Sequence, residues 1–294
     1  MDLEQLRKFR GSKGNSLSNI AKAMEEQGSK KNYHDDRYWS LQADKAGNGS
    51  AVIRFLPAEN MDDLPWVKLY THGFQGPAGK WYIENCLTTI GQEDPCVEHT
   101  GDLWNSGLES DKEIARQRKR RLGFISNVLV INDSSNPENN GKVFMFRYGK
   151  KIFDKISDVI TPQFEDEVPC DVFHPYEGAN FRLKMRRVEG YANFDKSSFD
   201  TISMIDEDEE KMVAILSSRH NIKEIIDPKN FKSYDELKKR LDFVLTSGKS
   251  NITADEMDLV EEKFKSKEEP KVKSKVESND DDVDMAFFQN LIDE

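Results

Sequence analysis

The sequence predicts a mainly β protein with interspersed helices, of the α+β class. Two observations predict the fold class, and a third bounds the folded region. Between residues 32 and 250, short runs rich in β-branched and aromatic residues alternate with turn signals. Segments with helical spacing of their apolar residues interrupt these runs. After about residue 250 the chain becomes rich in charge and poor in bulky side chains, which predicts a disordered tail.

The strand predictions rest on alternation and on turn residues. GNG (47–49) and NPENNG (136–141) are turn signals, and each is followed by an apolar run. Five segments have the composition of strands: AVIRFL (51–56), WVKLYT (66–71), SNVLVI (126–131), VFMFRY (143–148) and FRLKMRRV (181–188). They indicate an antiparallel β core.

Helices are predicted from apolar spacing and from capping signals. Ser110 and Glu113 form a capping-box pattern in front of the basic segment that ends at Arg121. Ser233 and Glu236 form a second one, in front of a segment whose apolar residues are Leu237, Leu241, Val244 and Leu245. KIFDKISDVI (151–160) and the segment from Leu17 to Met24 also have helical spacing.

Composition excludes several classes of protein. Of 294 residues, 36% are hydrophobic and 33% are charged. No apolar run approaches the roughly 20 residues that span a bilayer, so no membrane partner is expected. The first residues are basic where a secretory peptide would be apolar, which predicts a cytoplasmic protein. Three cysteines do not favour a disulfide framework; Cys170 is expected to be a buried free thiol.

Charge is distributed unevenly along the chain. The formal net charge is -11. The last eighteen residues contain no base and seven acids: Glu277, Asp280, Asp281, Asp282, Asp284, Asp293 and Glu294. The remainder is still acidic, so any binding of a polyanion must depend on local basic patches. One such patch lies near the N-terminus and comprises Arg7, Lys8, Arg10 and Lys13.

Four potential zinc ligands lie within twenty-eight residues. The spacing is H-x13-C-x9-C-x2-H, formed by His72, Cys86, Cys96 and His99. The final C-x2-H pair can bind one metal ion from a tight turn. Zinc prefers thiolate and imidazole ligands, and four protein ligands leave no open position, so the predicted site is structural. The alternative is that Cys86 is a small buried apolar residue and the histidines are hydrogen-bonded or exposed.

Basic residues with aromatic neighbours predict nucleic-acid binding. Period 2 places Arg182, Lys184 and Arg186 on one face of a strand. Cations follow phosphates, and aromatic faces stack unpaired bases at about 1–3 kcal/mol each, so the combination favours single strands. Further candidates are Arg147, Lys150, Lys151 and the run RQRKRR (116–121), which Phe124 follows. The alternative is that the charges are solvated and the aromatic residues belong to the core.

An enzymatic function is not favoured by the sequence. Two acidic segments, 164–171 and 206–211, lack an isolated carboxylate pair, and the sequence contains no glycine-rich phosphate motif or nucleophile elbow. The acidic tail has its own pattern, because Met285, Phe288, Leu291 and Ile292 recur at helical spacing. Such a helix can dock into a partner's groove, or the acids can occupy the protein's own cationic groove.

Longer segments carry a family resemblance: DKAGNGSAVIRFLP, HGF with GKWYIENC, PENNGKVFMFRYGKKIFDKI and HPYEGANFRLK. The chain resembles the helix-destabilising single-stranded DNA-binding proteins of T-even-type bacteriophages over nearly its whole length. This resemblance implies an OB-fold core (32–250) with an inserted zinc subdomain (about 60–125). It also implies a basic segment (1–31) for cooperative self-association and an acidic segment (251–294) that recruits replication and recombination proteins.

The resemblance also implies roles for individual residues. The family's last zinc-binding cysteine corresponds to His99, and Ile125 stands where the family has a tryptophan. Leu122 and Gly123 replace hydroxyl residues at the end of the basic run. The implied DNA-binding residues are Trp81, Tyr82, Trp104, Lys119, Arg120, Arg121, Phe124, Phe146 and Tyr191.

The sequence therefore predicts a non-catalytic protein with one structural zinc ion that binds single-stranded DNA cooperatively. It would act in phage replication, recombination and repair, in the cytoplasm of an infected bacterium. The alternatives are an RNA-binding regulator, a metal-dependent nuclease and a scaffold whose tail is its whole function.

Overall fold

The computed structural model describes residues 35–246, except residues 61, 165, 189 and 190. The predictions for the basic N-terminal segment, for a helix over residues 17–24 and for the acidic tail lie outside the described residues. No described helix is long and apolar enough to cross a membrane.

The described chain contains nine strands and five α-helices. The strands are β1 (Tyr38–Trp39), β2 (Gly49–Phe55), β3 (Val67–Gln75), β4 (Trp81–Asn85), β5 (Arg121–Asp133), β6 (Val143–Tyr148), β7 (Gly178–Val188), β8 (Tyr191–Asn193) and β9 (Ser198–Ser203). The helices are α1 (Pro95–Asn105), α2 (Glu109–Arg118), α3 (Lys150–Ile160), α4 (Glu209–Ser217) and α5 (Tyr234–Leu245). The prediction of a mainly β fold with helices is confirmed.

The long strand β5 organises the sheet. The main strand order is β1-β6-β5-β2-β7-β8, with β3 paired to β4 and β5, and β9 paired to β7. The first residues of β5 pair with β3, its middle pairs with β6 and its last residues pair with β2. All pairs are antiparallel except the short pair between β1 and β6. One strand thus connects the basic run at its start to the centre of the sheet.

Alternation of side chains defines the two faces of β7. Phe181 and Leu183 are buried in the main apolar cluster, while Arg182, Lys184 and Arg186 are exposed. The predicted cationic face of this strand is therefore confirmed. On β2, Ile53 and Phe55 reach the same cluster, and burial of such side chains is the main favourable term in folding.

Arg54 is a fully buried cation in the middle of β2. Its guanidinium donates hydrogen bonds to the carbonyl oxygens of His174 and Ser203, both at 2.9 Å, and to the side chain of Asn180 at 3.3 Å. Burial lowers the pKa of Arg54, and the nearby Cys170 thiol opposes this effect. The arginine thus anchors the segments on either side of β7, and Cys170 is a buried free thiol as predicted.

Of the two helix starts predicted from capping boxes, one differs from the prediction and one agrees with it. Helix α2 begins at Glu109 after Leu108, which makes no side-chain cap, so the predicted capping box of Ser110 and Glu113 is wrong. This helix ends at Arg118, and the basic run continues as strand β5 from Arg121. The capping box of Ser233 and Glu236 is confirmed at the start of α5.

Candidate metal centre and nucleic-acid interface

Three metal-binding side chains converge between the β3–β4 hairpin and helix α1. One ligand atom each from His72, Cys86 and Asp94 lies within 4.8 Å of the others, and all three residues are buried. His72 lies on β3, Cys86 directly follows β4, and Asp94 is the N-cap of α1. The hairpin and the helix start therefore build one compact group of donor atoms.

The imidazole of His72 is oriented as a metal ligand. Its Nδ1 lies 3.2 Å from the carbonyl oxygen of Arg118, so Nδ1–H donates to that oxygen. Its Nε2 is buried without a hydrogen-bond partner, 3.4 Å from Oδ1 of Asp94. A histidine that donates one ring N–H to a carbonyl presents the lone pair of the other nitrogen to a metal.

Asp94 connects the segment that follows Cys86 to the first turn of helix α1 through hydrogen bonds. Its Oδ1 accepts hydrogen bonds from the backbone N–H groups of Cys96 and Val97, at 2.9 and 3.1 Å. Its Oδ2 accepts one from Leu87 at 3.0 Å. Burial raises the pKa of Asp94, but His72 and these backbone donors outweigh burial and lower it. The carboxylate is therefore ionised inside the protein.

The groups around His72 favour a positive charge on its imidazole. Burial disfavours a charged imidazole, but the Asp94 carboxylate and the thiols of Cys86 and Cys96 raise the pKa of His72 to about 12. Either a proton or a metal cation bound to Nε2 would be stabilised by the negative charge of these neighbouring groups. Nitrogen, sulfur and oxygen donors together suit zinc, so the residues present fit this ion.

The predicted zinc ligands are only partly brought together. Cys96 is fully buried in the first turn of α1 and borders His72, although it is not one of the three convergent donors. His99 lies on the same helix with Nε2 3.0 Å from the Arg118 guanidinium. Burial and then Arg118 lower the pKa of His99. The sequence analysis missed Asp94. The pair Asp94-Pro95 is typical of a helix start and could have indicated that this carboxylate caps a helix.

A cleft of about 380 Å³ opens beside β6. Its walls come from the start of β5, the end of β6, the start of α3 and the segment after β8. Among the described residues that line it, Arg147 is the only charged one. The others named in the lining are Ser40, Leu41, Leu122, Gly123, Phe146, Tyr148, Gly149, Ile152, Leu183 and Phe194.

Arg147 is held flat against the neighbouring strands. Its guanidinium donates to Oγ1 of Thr71 at 3.0 Å. A Cβ atom at Gly123 would lie 3.2 Å from Nε of Arg147, so the glycine leaves room for this arginine. Burial lowers the pKa of Arg147, and Tyr38 opposes the shift. Since arginine stays protonated at neutral pH, the cleft keeps a fixed cation.

The other predicted cations lie at several places around the sheet and differ in their contacts. Arg120 lies 4.3 Å from the centroid of the Tyr70 ring, and Arg121 is exposed at the start of β5. Lys119 is the C-cap residue that follows helix α2. Lys150 forms an ion pair with Asp154 at 3.0 Å, and Lys151 is exposed beside it.

On the exposed face of β7, two of the three cations have acidic partners. Arg182 pairs with Asp200 and Arg186 pairs with Asp195, both at 2.5 Å, while Lys184 is exposed. These ion pairs reduce the positive charge that the face presents to a polyanion.

Several predicted aromatic residues lie in the core. Tyr82 is fully buried, and Phe124 is stacked on Phe153 with a centroid distance of 3.9 Å. Their ring faces are covered, so the prediction that these two rings stack bases needs correction. The family resemblance implied both residues without indicating which side of their strands is exposed. Phe146 is also buried, although it contributes to the cleft.

The remaining predicted aromatic residues keep exposed surface. Tyr191 on β8 is 40% exposed, and Trp81 is half-buried. Trp104 is half-buried too, with Arg116 and Lys112 at 5.6 and 5.8 Å from its ring. Phe194, which the sequence analysis did not select, lines the cleft.

Comparisons with known proteins cover the same region. Residues 47–245 match the family model described as gp32 DNA binding protein like. The chain is 41% identical over 214 residues to the single-stranded DNA-binding protein of Enterobacteria phage T2, which covers 72% of this chain and 70% of that protein. It is 41% identical over 206 residues to the protein of the same name from Enterobacteria phage T4, covering 69% and 68%. A 62-residue segment is 53% identical to one from Escherichia phage SV14, covering 21% and 54%.

Proposed function

The chain belongs to the family of gp32-like DNA-binding proteins, and on that premise we propose that it binds single-stranded DNA and catalyses no reaction. The observation that carries the proposal is the family match over residues 47–245, which includes the metal group and all of the cleft lining except Ser40 and Leu41. The relatives from phages T2 and T4 are named as binding proteins, which supports a role in binding.

The cleft beside Arg147 is our candidate for the DNA-binding groove. The exposed Arg121 precedes one wall, and Lys150 and Lys151 follow another. Phosphates would pair with these cations, and bases would stack on accessible rings such as Tyr191. Because only the unpaired strand offers its base faces, binding would shift the melting equilibrium of a duplex toward single strands.

A zinc ion would organise the subdomain at about residues 60–125, inserted in an OB-fold core over residues 32–250. His72, Cys86 and Cys96 would bind it, and the fourth ligand would be His99, after leaving Arg118, or Asp94. The unpartnered Nε2 of His72 supports this part of the proposal. With four protein ligands the ion has no open position, so its role would be structural.

The biological setting is proposed from the same family membership. Residues 1–31, with Arg7, Lys8, Arg10 and Lys13, would mediate cooperative self-association along the strand. The acidic segment 251–294 would recruit phage replication and recombination proteins. The protein would coat and protect DNA during replication, recombination and repair in the cytoplasm of an infected bacterium.

A tryptophan-fluorescence titration tests the proposed function. We expect strong quenching by oligo-dT, weak binding of a matched duplex and a steep loss of affinity with salt. The same titration with oligo-rU, at the same salt concentration, tests whether the protein is an RNA-binding regulator. Tighter binding of RNA, equal binding of duplex, or strand cleavage on addition of Mg²⁺ would each contradict the proposal.

Deletion of residues 277–294 separates DNA binding from partner binding. We expect the truncated protein to retain or increase its DNA affinity, because the deletion removes seven acids and no base. Loss of DNA binding in the truncated protein would instead favour a scaffold that depends on its tail.

A further inference from the structure

The hydroxyl group of Tyr82 is buried without a partner. Tyr82 lies on β4, has no exposed surface, and its hydroxyl oxygen makes no hydrogen bond. A buried hydroxyl group without a partner costs about 1–3 kcal/mol. Such an atom calls for an explanation, and an ion bound next to it is one that protein structures supply.

The surroundings of Tyr82 belong to the metal group. Its ring packs in an apolar cluster with Phe74, Cys96, Leu241 and Val244. The ring centroid lies 5.2 Å from that of Phe74 and 6.1 Å from that of His72. The tyrosine therefore borders both a convergent donor, His72, and the buried thiol of Cys96.

The packing of the ring points to the same neighbour. Tyr82 and Cys96 are both fully buried and belong to one cluster, so the thiol lies beside the tyrosine. A phenol hydroxyl group can donate one hydrogen bond. A metal-bound cysteine is a thiolate, and hydrogen bonds to charged acceptors are stronger than those to neutral ones.

We propose that Tyr82 is a positioning residue of the metal centre, whose hydroxyl donates a hydrogen bond to the thiolate of Cys96 when the metal is bound. This inference rests on the proposed zinc site. Groups that hydrogen-bond metal ligands orient them, and their loss typically weakens metal binding by about 10- to 100-fold. It also gives a function to a tyrosine that is too deeply buried to stack a base.

The test compares the full-length protein with Tyr82→Phe, loaded with Co²⁺ and then titrated with Zn²⁺ against a chromophoric chelator. We expect Zn²⁺ affinity to fall by about tenfold or more. The thiolate-to-cobalt charge-transfer band should move to longer wavelength, because a thiolate without a hydrogen bond is a stronger electron donor. The metal-free variant should be as stable as the metal-free parent or more stable, since it loses an unpartnered hydroxyl.

Tyr148→Phe is the matched control. Tyr148 is also buried, but its hydroxyl is 2.9 Å from Oγ of Ser126 and it packs in a different cluster. Its removal should lower the stability of the metal-free protein and leave the cobalt spectrum unchanged.

Three results would overturn the inference. The first is an unchanged Zn²⁺ affinity and cobalt spectrum in Tyr82→Phe. The second is a loss of metal-free stability in Tyr82→Phe as large as in Tyr148→Phe, since Tyr82 would then already have a partner. The third is a parent protein without a thiolate-to-cobalt band, which removes the zinc site as well. A DNA titration of the parent and of Tyr82→Phe reports separately on single-stranded DNA binding.

Discussion

Arg147 combines a fixed charge with a fixed position. It is held by Thr71, it lies over Gly123, and it is among the residues that line the cleft, together with apolar and aromatic side chains. A guanidinium that is already ordered loses little conformational freedom when it binds a phosphate. We therefore expect this residue to contribute more to DNA binding than the exposed cations of β7, two of which have carboxylate partners.

Arg147→Ala should weaken binding of oligo-dT and reduce the salt dependence. Removal of one phosphate contact lowers the slope of log K against log salt by about 0.7 for a single strand. Fluorescence titrations at four or more salt concentrations measure both quantities. Lys211→Ala, an exposed cation on α4 that pairs with Asp208 at 3.7 Å, is the control and should change neither. An Arg147→Ala variant with the parent slope would place the DNA elsewhere on the protein.

Asp133 is a buried carboxylate that should make stability depend on pH. It accepts hydrogen bonds from Trp39 Nε1 at 2.9 Å, from Asn139 at 3.1 Å and from two backbone N–H groups at 3.0 Å. Burial raises its pKa, but these donors outweigh burial and lower it. Its stabilising contribution is therefore present above the unfolded pKa of about 3.9 and is lost as pH falls through the lower folded pKa.

Asp133→Asn should destabilise the protein by about 1–3 kcal/mol at pH 7, because an amide places a donor where two donors already point. The difference from the parent should shrink below pH 4. Urea unfolding at pH 7 and at pH 3.5 measures it. Asp158→Asn, an exposed acid on α3, is the control and should leave stability at pH 7 nearly unchanged. A constant difference at both pH values would show that ionisation of Asp133 is not involved.

The sequence predicted which residues lie on which strand, but it did not always predict which side chains of a strand are exposed. The alternation on β7 is correct because strand geometry alone sets it. Tyr82 and Phe124 were implied as DNA-binding residues but are buried, since contacts from α5 and α3 decide which face of a strand is covered. Asp94 was missed because its approach to His72 depends on how α1 packs against β3.

Among the helices, α5 shows how local and distant signals differ. Its capping box is readable from four residues, and its start was predicted correctly. Its packing partner was not, because Leu241 and Val244 join Phe74 and Tyr82 through contacts more than 150 residues apart in sequence. Ion pairs add to this contact: Lys232 and Arg240 lie 2.5 and 3.7 Å from Glu84.

Gly76→Ala should loosen α5 from the β3–β4 hairpin. A Cβ at Gly76 would lie 2.1 Å from the carbonyl oxygen of Val244, so the backbone of the helix end must move. We expect faster amide hydrogen exchange over residues 234–245 and a lower melting temperature. Gly73→Ala is the matched control, because a Cβ there meets no atom within 4 Å. Equal exchange in both variants would show that this close approach does not hold the helix.

At the scale of the whole molecule, an acidic protein can bind a polyanion because its charges are segregated. The net charge is -11, yet the cleft contains Arg147, and Arg121, Lys150 and Lys151 lie next to its walls. A binding site is determined by the local potential rather than by the total charge. Composition alone therefore could not identify the function. The basic and aromatic residues along the chain predicted nucleic-acid binding, and the longer family segments predicted a single-stranded DNA-binding protein.

The main sheet and the metal region have separate apolar clusters, so removal of the metal should affect them differently. The cluster of Phe74, Tyr82, Cys96, Leu241 and Val244 includes a proposed ligand, whereas the cluster around Phe55 and Phe181 does not. Treatment with a chelator should therefore speed amide exchange over residues 67–105 and 234–245. Exchange in β2 and β7 should change little, because opening can be local rather than global.

A Cys86→Ser variant provides the control, since a chelator should have no further effect once a ligand is lost. Exchange that accelerates uniformly would show that the metal supports the whole sheet. Exchange that stays unchanged in the parent would show that the group of His72, Cys86 and Asp94 is stable without an ion. DNA binding measured on the chelated protein then shows whether the cleft, whose lining includes no proposed ligand, keeps its affinity when the metal region opens.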